Sequence, residues 1–176
     1  MEIKIDLSND LSKMTSYLAG GWFTPQQVKV YDGVCRLLKK HKVYDRFFVP
    51  RDLGINLAPV APEKRDGILP YVFALDTGMI IYSNTRRGFM LALIDDFDPG
   101  MIWEMGMAFG MSNGKYPVVT YSHVGHGLNA FFRKSVIGHI KGEKDLEVFL
   151  SELSIYGEED LLVIARDYQD FGTDWK

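Results

Sequence analysis

The sequence predicts an α/β fold, with a single doubly wound, mostly parallel sheet of five strands and helices on both faces. Strand-like segments alternate along the chain with segments of helical spacing, which favours a parallel sheet. The stretch "GFMLALID" (88–95) is a continuous apolar run between turn residues, as expected for a central strand covered on both faces. With 176 residues and 47% hydrophobic content, the chain suffices for one such domain and is short for two.

The first half of the chain begins this alternation. "MTSYLAG" is typical of a buried strand that ends at Gly20-Gly21, and a helix follows with Thr24 as N-cap and Pro25 at its first position. The further predicted elements are a second strand at 43–50, a long proline-containing loop at 51–66 and a helix at 67–84.

The second half continues it from the strand at 88–95. Asp98-Pro99 opens a helix that runs to about Asn113, with Gly114 past its end. The next elements are a strand at 116–122, a short helix or turn at 127–134, a strand at 135–140 and a helix at 144–153. We expect one domain over 1–176, with 1–13 as a leader or edge strand and 155–176 as a C-terminal extension. The fold class is flavodoxin-like or Rossmann-like.

Composition excludes several classes of protein. The 20 basic and 23 acidic side chains give a net charge of −3, so no basic surface for nucleic acid or an anionic membrane is expected. Cys35, the single cysteine, rules out an internal disulfide, and its place on a predicted helix indicates a buried structural thiol. The polar start is not a signal peptide, and no run of about 18 apolar residues occurs. We therefore expect a cytoplasmic protein.

Three turns are predicted to meet at one edge of the sheet. Gly20-Gly21, the loop after Pro50 and the turn at 95–98 each follow a strand. Because the carboxyl ends of parallel strands lie along one edge, these turns form a candidate ligand pocket there.

Glu104 is the side chain that stands out in "DDFDPGMIWEMGMAFGM" (95–111). It shares a helix face with Met101, Ala108 and Met111, a face that we expect to be covered. A buried carboxylate is costly unless it is paired or used, whereas Asp98 before Pro99 is already explained as an N-cap. Two carboxylates near one cleft, at least one of them desolvated, are what cleavage of a glycosidic bond requires.

The segment "YLAGGWFTPQQ" (17–27) is the second candidate. Tyr17 lies on the strand, the glycines let a ligand approach the backbone, and Trp22-Phe23 supply flat surfaces for stacking. Phosphate-loop and dinucleotide motifs are absent. His123 and His126 have no cysteine, third histidine or HExxH helix beside them, so a polar loop is favoured over a metal site.

Together these segments resemble the nucleoside 2'-deoxyribosyltransferases. The resemblance is carried by "YLAGGWFTPQQVKVY", the Asp-Pro-Gly turn before "WEMGMAFGM" and the downstream "LNAFF", and it spans about residues 14–140. Two departures concern "FALDTGMIIYSN", which lacks the family's second aspartate, and the loop after Pro50, which lacks the family's glutamine. The second departure leaves the preference for purines or pyrimidines open.

The resemblance implies roles for individual residues. Glu104 matches the nucleophile that forms a covalent deoxyribosyl-enzyme, and Tyr17 matches the tyrosine that orients it. Asp76 and Asp98 match an acidic pair near the base and the sugar. Substrate-binding positions are Gly20, Gly21, Trp22, Phe23 and Asn129. Asn129 matches a side chain lent to a neighbouring subunit, which implies a homo-oligomer acting on small nucleosides and nucleobases with no cofactor and no metal.

Two alternatives stay open. An N-glycosidase acting on a nucleoside or nucleoside 5'-monophosphate would use water in place of the second base, and Ser83, Arg86 and Arg87 are candidates to hold a phosphate. The third hypothesis is a sensing module that binds a nucleotide without turnover.

Overall fold

The computed structural model describes residues 11–55, 57 and 60–170. Within these ranges five parallel strands form one sheet in the order β2-β1-β3-β4-β5. The strands are β1 (Ser16–Ala19), β2 (Phe47–Phe48), β3 (Met90–Leu93), β4 (Val118–Ser122) and β5 (Gly138–Lys141). The predicted sheet of five strands is confirmed, and its pairings are parallel throughout.

Helices connect the strands in the same sequence order. They are α1 (Pro25–Lys40), α2 (Pro50–Leu53), α3 (Pro62–Arg65), α4 (Leu69–Thr85), α5 (Pro99–Met111), α6 (Ala130–Ser135), α7 (Gly142–Tyr156) and α8 (Leu161–Ile164). The strand order is the flavodoxin-like order, and the chain changes direction across the sheet between β1 and β3. Ligands of such sheets bind at the carboxyl ends of the strands beside this switch point.

Both faces of the sheet are covered. On β1, Leu18 points to the core formed with α1 and α7, while Tyr17 and Ala19 point to the core formed with α4 and α5. Every residue of β3 is buried, as the apolar run at 88–95 predicted. Cys35 is buried on α1, and burial raises the pKa of its thiol to about 12, which fits the predicted structural role.

The first helix begins where its sequence predicts. The side chain of Thr24 accepts a hydrogen bond from the backbone N–H of Gln27, and the Gln27 side chain bonds back to the backbone of Thr24. This reciprocal pair is a capping box, and Pro25 occupies the first helical position.

The region at 43–66 differs from the prediction. The second strand shortens to Phe47–Phe48 because residues Tyr44–Arg46 form a 3-10 turn before it. The loop at 51–66 is not wholly irregular: it contains α2 and α3, each of one turn with a proline at its first position. A proline there has its φ already set for a helix, so a short helix forms without a longer periodic pattern.

The C-terminal region packs on the domain as far as it is described. After α7 the chain forms 3-10 turns at Glu158–Asp160 and Ala165–Tyr168 around α8, and they lie against α7 and β5. The leader predicted at 1–13 falls outside the described residues except for a 3-10 turn at Leu11–Lys13. The last part of the predicted C-terminal extension, 171–176, lies outside them altogether. None of the helices in the described ranges is long and apolar enough to cross a membrane.

Candidate active site

A cavity of about 790 Å³ opens at the carboxyl ends of β1, β2 and β3. We call it the rim cavity. It is lined by Gly20, Trp22, Phe23, Pro50, Arg51, Ile55, Leu57, Arg65, Leu69, Val72, Asp76, Asp98, Pro99, Gly100, Met101 and Glu104. The three predicted turns therefore contribute to one pocket, and it lies at the switch point of the sheet.

Glu104 lines the cavity, and Tyr17 lies behind it and holds it by a hydrogen bond. The Tyr17 hydroxyl donates a hydrogen bond of 2.7 Å to Oε1 of Glu104. Tyr17 is fully buried on β1 and its ring stacks on Phe48 of the adjacent strand. Because a strand and a helix on the same face fix the two side chains, the carboxylate is held in one orientation.

The position of Glu104 on α5 explains why it faces the cavity. Met101, Met105 and Ala108 form the buried stripe of the helix. Because an α-helix turns by about 100° per residue, Glu104 lies about 60° around the helix axis from Met101. Met111 lies about 80° from Met101 on the same side. The expectation that Met111 is covered is therefore wrong, since it is 43% exposed. Glu104 lies at the edge of the stripe, where the core gives way to the cavity.

Burial makes Glu104 a weaker acid than glutamate in water. The pKa of its carboxyl is raised to about 8, chiefly by burial; the Tyr17 hydrogen bond lowers it, and the charges of Asp76 and Asp98 raise it. Burial likewise raises the pKa of Asp76, on α4, to about 6. Two carboxyl groups of one cavity thus change their charge near neutral pH, which suits them to nucleophilic and acid–base chemistry.

Asp98 has a structural task as well as a place in the cavity. Its Oδ1 accepts a hydrogen bond of 2.9 Å from the backbone N–H of Met101, which makes it the N-cap of α5. The cap uses only Oδ1, so Oδ2 of Asp98 can contact a ligand in the cavity that Asp98 lines.

The glycine–aromatic segment is only partly at the cavity. Gly20, Trp22 and Phe23 line it, and a Cβ on Gly20 would lie 3.0 Å from the Leu93 side chain. Trp22 stacks on Phe23, with ring centroids 5.4 Å apart, and Phe23 is exposed. Gly21 lies instead in a small neighbouring cleft, where a Cβ would meet the Gln27 side chain at 2.6 Å, so it makes room for the capping box of α1.

Asn129 is not part of this chain's own rim cavity. Its Oδ1 accepts a hydrogen bond from the backbone N–H of Phe132, at the start of α6 beyond β4. The structure therefore brings together Tyr17, Asp76, Asp98 and Glu104 and leaves Asn129 apart.

Sequence reasoning missed the role of two residues. Arg51 lines the rim cavity with its guanidinium fixed by two carboxylates. Asp95 accepts hydrogen bonds from the Ser122 hydroxyl and the backbone N–H of His123, and so joins the ends of β3 and β4. Arg51 could have been suspected as a basic residue directly after the second strand. Nothing in the local sequence points to the contacts of Asp95.

Other predicted candidates lie elsewhere. Ser83 bonds to the backbone oxygen of Thr15, which precedes β1, so Ser83, Arg86 and Arg87 lie at the edge opposite the rim cavity. They therefore lend no support to a phosphate site at the cavity. His123 lies 3.1 Å from the Tyr121 hydroxyl, and the described residues hold no cluster of three metal-ligating side chains.

Replacing Tyr17 by phenylalanine tests the hydrogen bond to Glu104. The ring and its packing remain, but the bond that favours the ionised carboxylate is lost, so any activity of this site should fall about 10- to 100-fold. Because the pKa of Glu104 rises further when this bond is lost, the alkaline limb of the pH profile should move to higher pH. Tyr116→Phe is the matched control, since Tyr116 is also buried and its hydroxyl bonds to Ser83, at the edge opposite the rim cavity.

Replacing Asp98 by asparagine separates capping from chemistry. Asparagine caps helices about as well as aspartate, so the free energy of unfolding should hardly change, whereas Asp98→Ala should lose about 1 kcal/mol. Turnover should fall in both variants if the carboxylate acts on substrate. If Asp98→Asn keeps full turnover and an unchanged unfolding curve, Asp98 acts only as the N-cap of α5.

Comparison with known proteins supports the fold. No protein-family model matches the chain, and the curated proteins give no significant match. A solved 2-deoxyribosyltransferase from the bacterium Bacillus psychrosaccharolyticus is similar to this chain with a TM-score of 0.61 and 23% identity, over 75% of this chain and 89% of that one. A conserved protein from Enterococcus faecalis V583 matches at a TM-score of 0.46 and 22% identity, over 88% and 98% of the two chains, which is too distant to carry an argument. The resemblance predicted from the motifs is thus confirmed for the fold.

Proposed function

We propose that this protein transfers 2-deoxyribose between nucleobases. The observation that carries the proposal is the hydrogen bond from the buried Tyr17 to Glu104, which lines a cavity at the switch point of the sheet. The fold is shared with a 2-deoxyribosyltransferase, and the acidic residues that the motifs assign to that chemistry lie in the same cavity.

The proposed reaction has two displacements at C1' of the sugar. The ionised carboxylate of Glu104 attacks C1', the bond from C1' to the base nitrogen breaks, and its electron pair leaves with the base, which takes a proton from Asp76 or Asp98. A second base then attacks C1' through a ring nitrogen, gives its proton to the same carboxyl group and releases Glu104. Two inversions give net retention.

The cavity suits the charge that develops during transfer. The sugar carbon becomes cationic in the transition state, and Glu104, Asp76 and Asp98 place negative charge around it without a cofactor. A 2'-hydroxyl withdraws electrons from this carbon, which favours 2-deoxyribose as the transferred sugar. Trp22 and Phe23 offer stacking surfaces for the base.

We also propose that the protein acts as a homo-oligomer in which Asn129 reaches a neighbouring subunit's cavity. Helices α4 and α5 support this, because Phe73 and Trp103 are about half exposed and their rings lie 5.0 Å apart. Ile102 and Phe109 further line an open apolar groove beside α6. Neighbouring exposed apolar side chains of this kind are typical of interaction sites.

A charge at the centre of this surface tests the oligomer. Trp103→Glu should convert the oligomer into monomers in light scattering and lower transfer, whereas Ile155→Glu, on the exposed face of α7, should do neither. A wild-type protein that is already monomeric would contradict the proposal.

Transfer is separated from hydrolysis by its need for an acceptor. Deoxynucleoside incubated with the protein and a second free base should give a new deoxynucleoside by chromatography, and little free deoxyribose without that base. Release of deoxyribose at the same rate with and without acceptor would favour an N-glycosidase. Saturable binding without any release of base would favour a sensing module.

A further inference from the structure

Arg51 is held in one orientation where it lines the rim cavity. Its Nη1 donates to Asp32 at 2.6 Å and its Nε donates to Asp52 at 2.9 Å. The guanidinium carbon lies 4.6 Å from the centre of the Tyr31 ring, and the Tyr44 hydroxyl donates to Asp52 at 2.6 Å. An arginine fixed by two carboxylates and a ring presents its remaining N–H groups in a constant direction.

The nitrogen that remains is Nη2. Within the described residues it donates to no protein group, and Arg51 lines the rim cavity. The charges of Asp32 and Asp52 more than balance that of the guanidinium, so this end of the cavity offers directed donors without a net positive charge. Such a group suits a neutral acceptor, such as a carbonyl oxygen, better than a phosphate.

The sheet order places Arg51 where the far edge of a base would lie. Arg51 follows β2, Gly20 follows β1 and Glu104 follows β3, and β1 lies between the other two. The carboxylate of Glu104 lies beside the Tyr17 hydroxyl of β1, and Arg51 follows β2, the neighbouring strand. A base whose glycosidic nitrogen lies near this carboxylate can therefore extend through the shared cavity towards the arginine.

We propose that Arg51 reads the base and selects oxo-substituted nucleobases over amino-substituted ones, an inference that rests on the proposed function. A guanidinium only donates hydrogen bonds, so it pairs with the 6-oxo group of hypoxanthine or guanine and with the 4-oxo group of uracil or thymine. The amino group of adenine or cytosine at the same place would donate as well, so it could not accept a hydrogen bond from the N–H groups of Arg51. The preference should be about 10- to 100-fold in kcat/KM.

The test compares deoxyinosine with deoxyadenosine, which differ in the oxo or amino group at one ring position. Wild-type protein should favour deoxyinosine, and deoxyuridine over deoxycytidine. Arg51→Met should bring the deoxyinosine-to-deoxyadenosine ratio close to one. Arg36→Met, an exposed arginine on α1 outside the rim cavity, should keep the wild-type ratio.

The wild-type comparison needs no variant, so it decides the matter even if Arg51→Met does not fold. Equal use of both nucleosides, or preference for deoxyadenosine, would overturn the inference and leave the transferase proposal standing. If neither nucleoside is cleaved, the proposed function fails. Calorimetric binding of free hypoxanthine and adenine then gives the same comparison, and tighter binding of adenine would overturn the inference separately.

Discussion

Glu104→Gln is expected to abolish transfer and to make the protein more stable at alkaline pH. Glutamine keeps the size of the side chain and an oxygen for the Tyr17 hydroxyl, but it cannot attack C1'. Loss of a nucleophile should lower kcat by at least about 10³-fold. Transfer is measured as base exchange at saturating substrate, with circular dichroism to show that the fold is kept.

The stability change follows from the raised pKa of Glu104. Unfolded glutamate ionises near 4.5, whereas in the folded protein the pKa is about 8, so between these values the folded state binds the extra proton. The wild type therefore has its full stability below pH 4.5 and loses part of it as the pH rises to about 8. The loss amounts to a few kcal/mol, since each pKa unit corresponds to about 1.4 kcal/mol.

Urea unfolding of both proteins at pH 4.5 and pH 8.5 measures this difference. The two curves should be close at the lower pH, and Glu104→Gln should be the more stable protein at the higher one. If Glu104→Gln is equally or less stable than the wild type at pH 8.5, ionisation of Glu104 does not destabilise the folded protein, and the prediction is wrong.

Asp76→Asn is expected to remove the alkaline limb of the pH profile. Cleavage needs Glu104 ionised and, with Asp76 as the acid, Asp76 protonated. The two groups have pKa values of about 8 and about 6, so wild-type kcat/KM should rise near pH 6 and fall above pH 8, with both limbs belonging to the coupled pair.

In Asp76→Asn no proton is available from this position, and kcat/KM should fall about 10²- to 10⁴-fold. The residual activity should rise with pH to a plateau. Because the charge of Asp76 no longer raises the pKa of Glu104, this rise should come below pH 8. Profiles recorded from pH 5 to pH 10 distinguish the outcomes: an alkaline fall that persists in the variant would assign the acid to Asp98.

The fold was largely predictable because its signals are local. Thr24 and Pro25 mark the start of α1, and Asp98 and Pro99 mark the start of α5, through capping interactions within four residues. The run at 88–95 marks the central strand. By contrast, β2 is a two-residue edge strand, too short for a pattern, and Asp95 acts through partners about 27 residues away.

The sequence singled out several side chains that the structure places around one cavity, but not all of their contacts. Helical spacing singled out Glu104, and the family resemblance supplied its pairing with Tyr17, since a strand and a helix 87 residues apart meet only in the folded chain. Arg51 was not singled out, since the sequence marked the loop after Pro50 only as lacking the family's glutamine. Its role depends on Asp32 and on the Tyr31 ring, both on α1, which no local pattern connects to the loop after β2.

Mass spectrometry of the protein quenched during turnover of a deoxynucleoside, without acceptor base, tests most directly whether Glu104 captures the sugar. An adduct with the mass of one deoxyribosyl group is expected on the peptide that contains Glu104, and it should be absent from Glu104→Gln. Turnover without any adduct, or an adduct on another residue, would contradict this expectation.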